Sequence, residues 1–391
     1  MIAAEAALTV SLEERQRAGL YRERPILQST QGTEVRVDGR DLLTFCSNDY
    51  LGLANHPDVI AALRDGAGRY GVGSGASHLI SGHSEVHEEL EIALARFTGR
   101  PRALLFSTGY MANVGTITAL MSRRDQVLHD RLNHASLLDA TQMSGARLRR
   151  FPHLDTATLS RWLTETTEQT MLIATDGVFS MDGDTANLPE LARLARQHEA
   201  WLMVDDAHAL GVIGEDGAGS CAYWGLPTSD IPILVGTLGK AFGTFGAFVA
   251  GSEPLIESLI QSARSYIYTT AMPPAIAYAT LASLEVIQNE PGRRTHLSML
   301  AQRVIDGARA LGLKVPVPAP GHPFTPIIPV IAGAADAAMA MSRTLLDQGI
   351  LVGAIRPPTV PKGTARLRIT LSAAHTIEQV DRLLAALARC R

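Results

Sequence analysis

The 391-residue sequence predicts an α/β fold with a mostly parallel central sheet, followed by a smaller α+β unit. Three observations carry that expectation. Short, continuous apolar runs alternate with segments of helical period, ionisable residues stand at the ends of these runs, and the patterning changes near Asn289-Glu290-Pro291-Gly292. Candidate strands are 103–106, 126–129, 171–175, 201–204, 233–236 and 247–250. Most have consecutive rather than alternating apolar residues, the pattern of strands covered on both faces. Helical stretches at 111–121 and 188–198 lie between them, the second with Pro189 near its start. Such alternation builds parallel sheets with right-handed crossovers.

Beyond the break, a helical segment at 297–311 precedes a proline-studded stretch, VPVPAPGHPFTPIIPV. A helix ending at Gly349, a strand at 365–371 and a last helix follow. Thr376 and Gln379 have capping-box spacing at the start of that last helix. The expected organisation is an N-terminal arm (1–45), a large α/β domain (46–289) and a small α+β domain (290–391) that the arm joins.

Composition excludes several classes. Hydrophobic residues at 46% and charged residues at 19% are ordinary globular values, which rules out extended disorder. Thirty-five basic and 39 acidic residues give a formal charge of -4 without a basic run, so no nucleic-acid partner is expected. The start, MIAAEAALTVSLEER, lacks the basic and apolar regions of a signal peptide. The most apolar stretch, 231–251, carries Lys240 and five glycines, unlike the roughly 20 predominantly apolar residues of a spanning helix. Cys46, Cys221 and Cys390 are too scattered for a disulfide framework or a zinc pair. A cytoplasmic setting with no membrane partner is expected.

Ligands of open parallel sheets gather at the carboxyl ends of strands, and three such ends carry unusual residues. In WLMVDDAHALG an apolar run leads directly into Asp205, Asp206 and His208. A carboxylate there needs a cation or hydrogen bonds to stay ionised. An isolated Asp-Asp-x-His is more often a solvated loop with a helix cap, and a metal site lacks obvious further ligands. In ILVGTLGKAFG, Lys240 sits in a glycine-rich apolar segment, where desolvation makes a lysine a better nucleophile or base. A phosphate-loop reading fails because Leu234 and Ala241 occupy required glycine and Ser/Thr positions. In LLFSTGYMANVGTI a strand gives way to a helix opened by Ser107-Thr108-Gly109-Tyr110, a phosphate cradle or an ordinary cap. The glycines of GVGSGAS follow no convincing strand, which excludes a Rossmann assignment. A Schiff-base lysine, a buried aspartate, a histidine and a phosphate-binding helix start are together the parts pyridoxal phosphate requires.

Seven further motifs extend this set: FCSNDYLGL (45–53), GSGASHLISG (73–82), NHASLLDA (133–140), TDGVFSMDGD (175–184), DDAHALGVIGEDGAG (205–219), GTLGKAFG (236–243) and IRPPTVPKGTARLRITLSAAHT (355–376). On these the sequence resembles the α-oxoamine synthases, pyridoxal-phosphate enzymes of the aspartate-aminotransferase fold (fold type I), from about residue 20 onward. The resemblance implies a homodimeric acyltransferase that condenses an amino acid with an acyl thioester and releases CO2. The IRPPTVP segment points to the branch that uses L-alanine and a pimeloyl thioester, carried by coenzyme A or acyl carrier protein. Relatives using glycine or serine and other acyl donors are the alternative.

By the same resemblance, Lys240 tethers the cofactor and acts as general base. Asp205 pairs with the ring nitrogen, His208 bonds the phenolic oxygen and His134 stacks on the ring. Gly109, Tyr110, Ser180 and Thr237 position the cofactor and its phosphate, while Thr269 and Thr270 reach a phosphate across the dimer interface. Arg356 holds the amino-acid carboxylate, Thr359 and Asn48 lie near the substrate, and Arg22 contacts the acyl group. Plainer readings stand beside several of these: a helix cap for His134, turns for Ser180 and Thr237, a surface position for Arg356, and Arg24 in place of Arg22. Ala76, His78 and Asp176 depart from residues frequent in relatives. His83 and His87 have the i,i+4 spacing of a metal pair but no evident third ligand, so they are expected to be helix-surface histidines and no metal is expected.

Overall fold

The computed structural model describes residues 3–17, 20–166 and 170–390. Its described residues form three sheets. The strands are β1 (Glu34–Val37), β2 (Arg40–Thr44), β3 (Arg102–Phe106), β4 (Gln126–Asp130), β5 (Arg147–Phe151), β6 (Met171–Asp176), β7 (Trp201–Asp205), β8 (Ile233–Thr237), β9 (Ala247–Gly251), β10 (Ile327–Gly333), β11 (Ile350–Leu351), β12 (Gly353–Ile355) and β13 (Ala365–Thr370). The central sheet has seven strands in the order β3-β9-β8-β7-β6-β4-β5. Six of them, β3, β5, β4, β6, β7 and β8, point the same way, and β9 alone among the seven is reversed, antiparallel to both β8 and β3.

All six strands expected from continuous apolar runs are present, each extended by one residue at one end. They are continuous because helices cover both faces, leaving every residue of β4 and β9 buried. The central-sheet strand that escaped notice is β5, RLRRF, which borders the sheet with only Phe151 fully buried. Three arginines on a solvated edge erase the apolar signal. The strand β10 starts within the proline-studded stretch. It borders its sheet, where Pro329 has no need to donate to a second neighbour. The helix expected at 297–311 begins earlier, at Gly292. The capping box of Thr376 and Gln379 forms as expected.

Two smaller sheets tie the ends of the chain together. In one, β10, β13 and β12 are antiparallel, and in the other the β1–β2 hairpin takes β11 as a parallel neighbour. A continuous core runs from Phe45, Tyr50 and Leu53 through Phe242 and Phe248 to Leu367 and Ile369.

The sequence expectation for His83 and His87 needs correction. His83 precedes the helix Glu85–Phe97, and His87 is fully buried in its first turn. The Ser84 amide donates to His87 Nδ1 at 3.0 Å, so this ring serves as the reciprocal half of a capping box.

The sheet brings site residues together by register. Asp176 and Asp205 are paired at the carboxyl ends of β6 and β7, and Thr237 ends β8. The loop after β8 folds back at Gly243, with φ +66°, and a Cβ there would stand 2.3 Å from the Ala54 nitrogen. That close approach presses the Lys240 loop onto residues 53–54. Gly243→Ala is therefore expected to cost about 1–3 kcal/mol or more, from strain plus overpacking. Urea unfolding checks this, and a midpoint equal to the wild type's would contradict it.

Candidate active site

Two cavities meet at Lys240. The inner one, of about 200 Å³, is also walled by Gly109, Tyr110, Asn113, His134, Ser136, Asp176, Asp205, Ala207, His208 and Thr237. The outer one, of about 470 Å³, passes Asn48, Cys46 and Thr44 to an apolar wall of Pro25, Leu27, Val35, Val37 and Leu351.

Lys240 Nζ lies 2.8 Å from His208 Nε2, and His208 Nδ1 lies 2.7 Å from the Tyr50 hydroxyl. Tyr50 donates to Asn48 Oδ1 at 3.1 Å, and Arg368 Nη1 donates to the same oxygen at 3.2 Å. The single hydroxyl proton is thus committed, so His208 carries its proton on Nδ1 and accepts from Lys240 at Nε2. Burial holds the His208 ring well below the usual histidine range, reinforced by Lys240 and Arg368, and keeps it neutral. Burial pushes Tyr50 up to about 12, which preserves its proton.

The charges are balanced across the inner cavity. Burial drives Lys240 down to about 8, against the pull of Asp205 and Asp176. Asp176 is raised well above the carboxylate range by burial and by Asp205 beside it. Asp205 Oδ2 accepts from Asn113 Nδ2 at 2.7 Å and Oδ1 from the Ala207 amide at 3.2 Å. Asp206 turns away and accepts the Ser220 amide and hydroxyl. The doublet therefore divides: one carboxylate faces the cavity and the other ties down the loop after it.

His134 serves in two ways. It caps the helix Ala135–Ser144, with Nδ1 3.3 Å from the Ser136 amide, and its ring also lines the inner cavity. Thr108 caps the helix Gly109–Leu120, leaving the helix start and its positive end at the cavity. A Cβ built on Gly109 would meet nothing within 4 Å, so there is open space directly over this backbone.

This donor set fits pyridoxal phosphate. The cavity offers a buried amine, a carboxylate fixed by two donors, and a helix start for an anion. Asn113, which also lines the cavity, keeps its Oδ1 buried without a partner.

Other expected positions lie outside both cavities. Ser180 stands just behind, its carbonyl accepting Arg368 Nε at 2.5 Å. Thr270 is bridged to Ser77, with Thr269 beside it, away from this chain's own cofactor cavity. Arg22 and Thr359 are exposed and Arg356 is half-buried; none of the three lines either cavity. A further cation, Arg368, 7% exposed, also stands behind the cavity walls, bonded to Asn48 of the outer cavity. Arg368, Tyr50 and Asn113 are the residues that sequence reasoning missed. A readable signal existed for the first: ARLRIT places Arg366 and Arg368 on one face of an otherwise apolar strand that is buried throughout.

A model of the class I and II aminotransferase family matches residues 40–387. The 8-amino-7-oxononanoate synthase of Pseudomonas aeruginosa (strain LESB58) is 60% identical over 97% of this chain and 93% of its own length. That of Pseudomonas entomophila (strain L48) is 60% identical over 98% and 97%. Among solved structures, Sphingomonas wittichii serine palmitoyltransferase matches with a TM-score of 0.91 at 31% identity, covering 100% of this chain and 98% of that one. The 8-amino-7-oxononanoate synthase from Francisella tularensis matches with a TM-score of 0.78 at 31% identity, covering 89% and 97%. The chain belongs to the class I and II aminotransferase family and, within it, to the 8-amino-7-oxononanoate synthases. Among the described residues no helix is long and apolar enough to cross a membrane.

The lowered Lys240 pKa has a direct readout. Only the neutral amine reacts with an acylating reagent, so labelling of Lys240 in cofactor-free protein rises with pH. Its midpoint is expected near 8 rather than the usual 10.5. Competitive acetylation read by mass spectrometry checks this, and a midpoint above 10 would contradict the geometry.

Proposed function

We propose that this chain condenses L-alanine with a pimeloyl thioester to give 8-amino-7-oxononanoate, CO2 and free carrier thiol, in biotin biosynthesis, with pyridoxal 5′-phosphate as cofactor. The carrying observation is the meeting of two cavities at one buried amine: a charged inner cavity and a longer outer one with an apolar wall. Identity of 60% to relatives of that name supports the choice of substrates.

Bound in the inner cavity, pyridoxal phosphate supplies an aldehyde that engages amines and a ring that delocalises the electron pair left at Cα. Lys240 would hold the cofactor, and its Nζ, when free, would receive the Cα proton. An amine near pKa 8 both accepts and returns a proton readily at neutral pH. Asp205, kept from turning by Asn113 and the Ala207 amide, holds positive charge on the ring nitrogen. The ring of His134 covers one face of the inner cavity. The amides of Gly109 and Tyr110 take the phosphate at the helix start, with Thr237 beside them.

Arg368, pinned by Ser180 and Asn48, receives the alanine carboxylate, a role the resemblance gave to Arg356. Its planar fork suits a carboxylate better than lysine does. The apolar wall of the outer cavity takes the methylene chain of the donor. Overall, Cα bonds to the thioester carbonyl carbon, the C–S bond breaks with loss of the thiol, the carboxylate leaves as CO2, and a proton returns to Cα. A second copy of the chain, the homodimer of the family, would contribute Thr269 and Thr270 to its partner's phosphate site.

Product analysis tests the reading. The purified protein with L-alanine and pimeloyl-CoA, or the pimeloyl carrier-protein thioester, is expected to yield 8-amino-7-oxononanoate by mass spectrometry, and Lys240→Ala none. Product formation from glycine or serine with a different acyl donor, and none from alanine, would sink it. Arg368→Lys is expected to raise the KM for alanine at least about tenfold, through loss of a bidentate contact. Arg356→Lys is expected to change it less, and the reverse ranking would restore Arg356 to the carboxylate.

A further inference from the structure

A second cluster of ionisable side chains forms where residues 78–82 run into the helix Glu85–Phe97. His78, His83 and His87 bring their ring centroids to 5.1, 5.2 and 5.6 Å of one another, and one nitrogen from each lies within 4.8 Å of the other two. Sequence spacing had offered only His83 and His87. The turn at 78–82 folds the third ring back onto them.

The far nitrogens of two rings are already committed. His87 Nε2 lies 2.8 Å from the Met272 carbonyl oxygen, and His83 Nε2 lies 3.3 Å from a Glu88 carboxylate oxygen. Both partners accept only, so both rings carry their proton on Nε2 and present a bare lone pair at Nδ1. His83 Nδ1 faces His78 Nδ1 at 2.9 Å, and His87 Nδ1 takes the Ser84 amide and hydroxyl at 3.0 Å. Holding a ring's outer N–H on a carbonyl or carboxylate is how proteins orient metal-binding histidines, and here one nitrogen of each ring lies within 4.8 Å of the other two.

We propose that His78, His83 and His87 form a binding site for a divalent transition metal of the zinc type, with Glu88 and the Met272 carbonyl as its orienting shell. Three imidazoles with a fourth position open to water suit Zn²⁺, whereas Mg²⁺ and Ca²⁺ require oxygen ligands. On binding, the proton that His78 Nδ1 holds toward His83 moves to His78 Nε2. The Ser84 amide gives up His87 Nδ1 to the metal. A metal here would fasten the turn at 78–82 to the following helix and, through Met272, to the segment that carries Thr269 and Thr270.

Calorimetric titration of the cofactor-loaded, full-length protein with ZnCl2 tests the site, with Co²⁺ absorption as a second readout of a nitrogen-ligated, four-coordinate ion. One equivalent of Zn²⁺ is expected to bind, MgCl2 to give no heat, and His83→Gln and His78→Gln each to weaken zinc binding at least about tenfold. Both of these rings are partly exposed, and an unchanged metal-free melting temperature verifies each fold; if one variant fails to fold, the other decides. Zinc affinity equal to wild type in a folded variant, or no zinc binding by the wild type, overturns the proposal.

Discussion

A partly desolvated cation has to be matched by nearby negative charge, and the centre of this molecule is organised around one such amine. Lys240 is set between Asp205 and Asp176, which favour its charge, and a desolvated position that opposes it. The balance depends on sheet register. Only because β6 and β7 are parallel and in step do two carboxylates stand side by side across from the lysine. Two like charges in close contact cannot both remain comfortably ionised, and Asp176 yields. Asp205 has two donors of its own, Asn113 Nδ2 and the Ala207 amide.

The same constraint explains the neutral chain that leads away from the amine. His208, Tyr50 and Asn48 pass hydrogen bonds in one direction, from Lys240 toward an oxygen that Arg368 also grips. Each member has one consistent protonation state. Positions in the inner cavity are therefore fixed before any ligand arrives, which is the preorganisation that electrostatic catalysis depends on.

Much of this was legible in the sequence. Consecutive apolar runs marked six of the seven central strands, and the ionisable residues after them marked the cavity. Asp205, His208 and Lys240 were found because each follows such a run. What stayed hidden is instructive. The edge strand β5 reads as charged because solvent, rather than packing, surrounds it. Tyr50 and Asn113 reach the site through tertiary contacts that no local period encodes. Arg356 and Arg368 both lie in the 355–376 motif, and only Arg356 was singled out, although two arginines within a buried strand are costly unless something binds them. Burial is the feature that marks the cation beside Asn48.

The pairing of β2 with β11 joins positions more than 300 residues apart, Leu43 with Ile350. Leu351, the next residue, shares the wall of the outer cavity with Val35 and Val37. A nascent chain emerging from the ribosome exposes its lysine and both aspartates long before that wall exists. The outer cavity therefore stays open on that side until Leu351, which follows Lys240 in the chain by more than 100 residues, has been made.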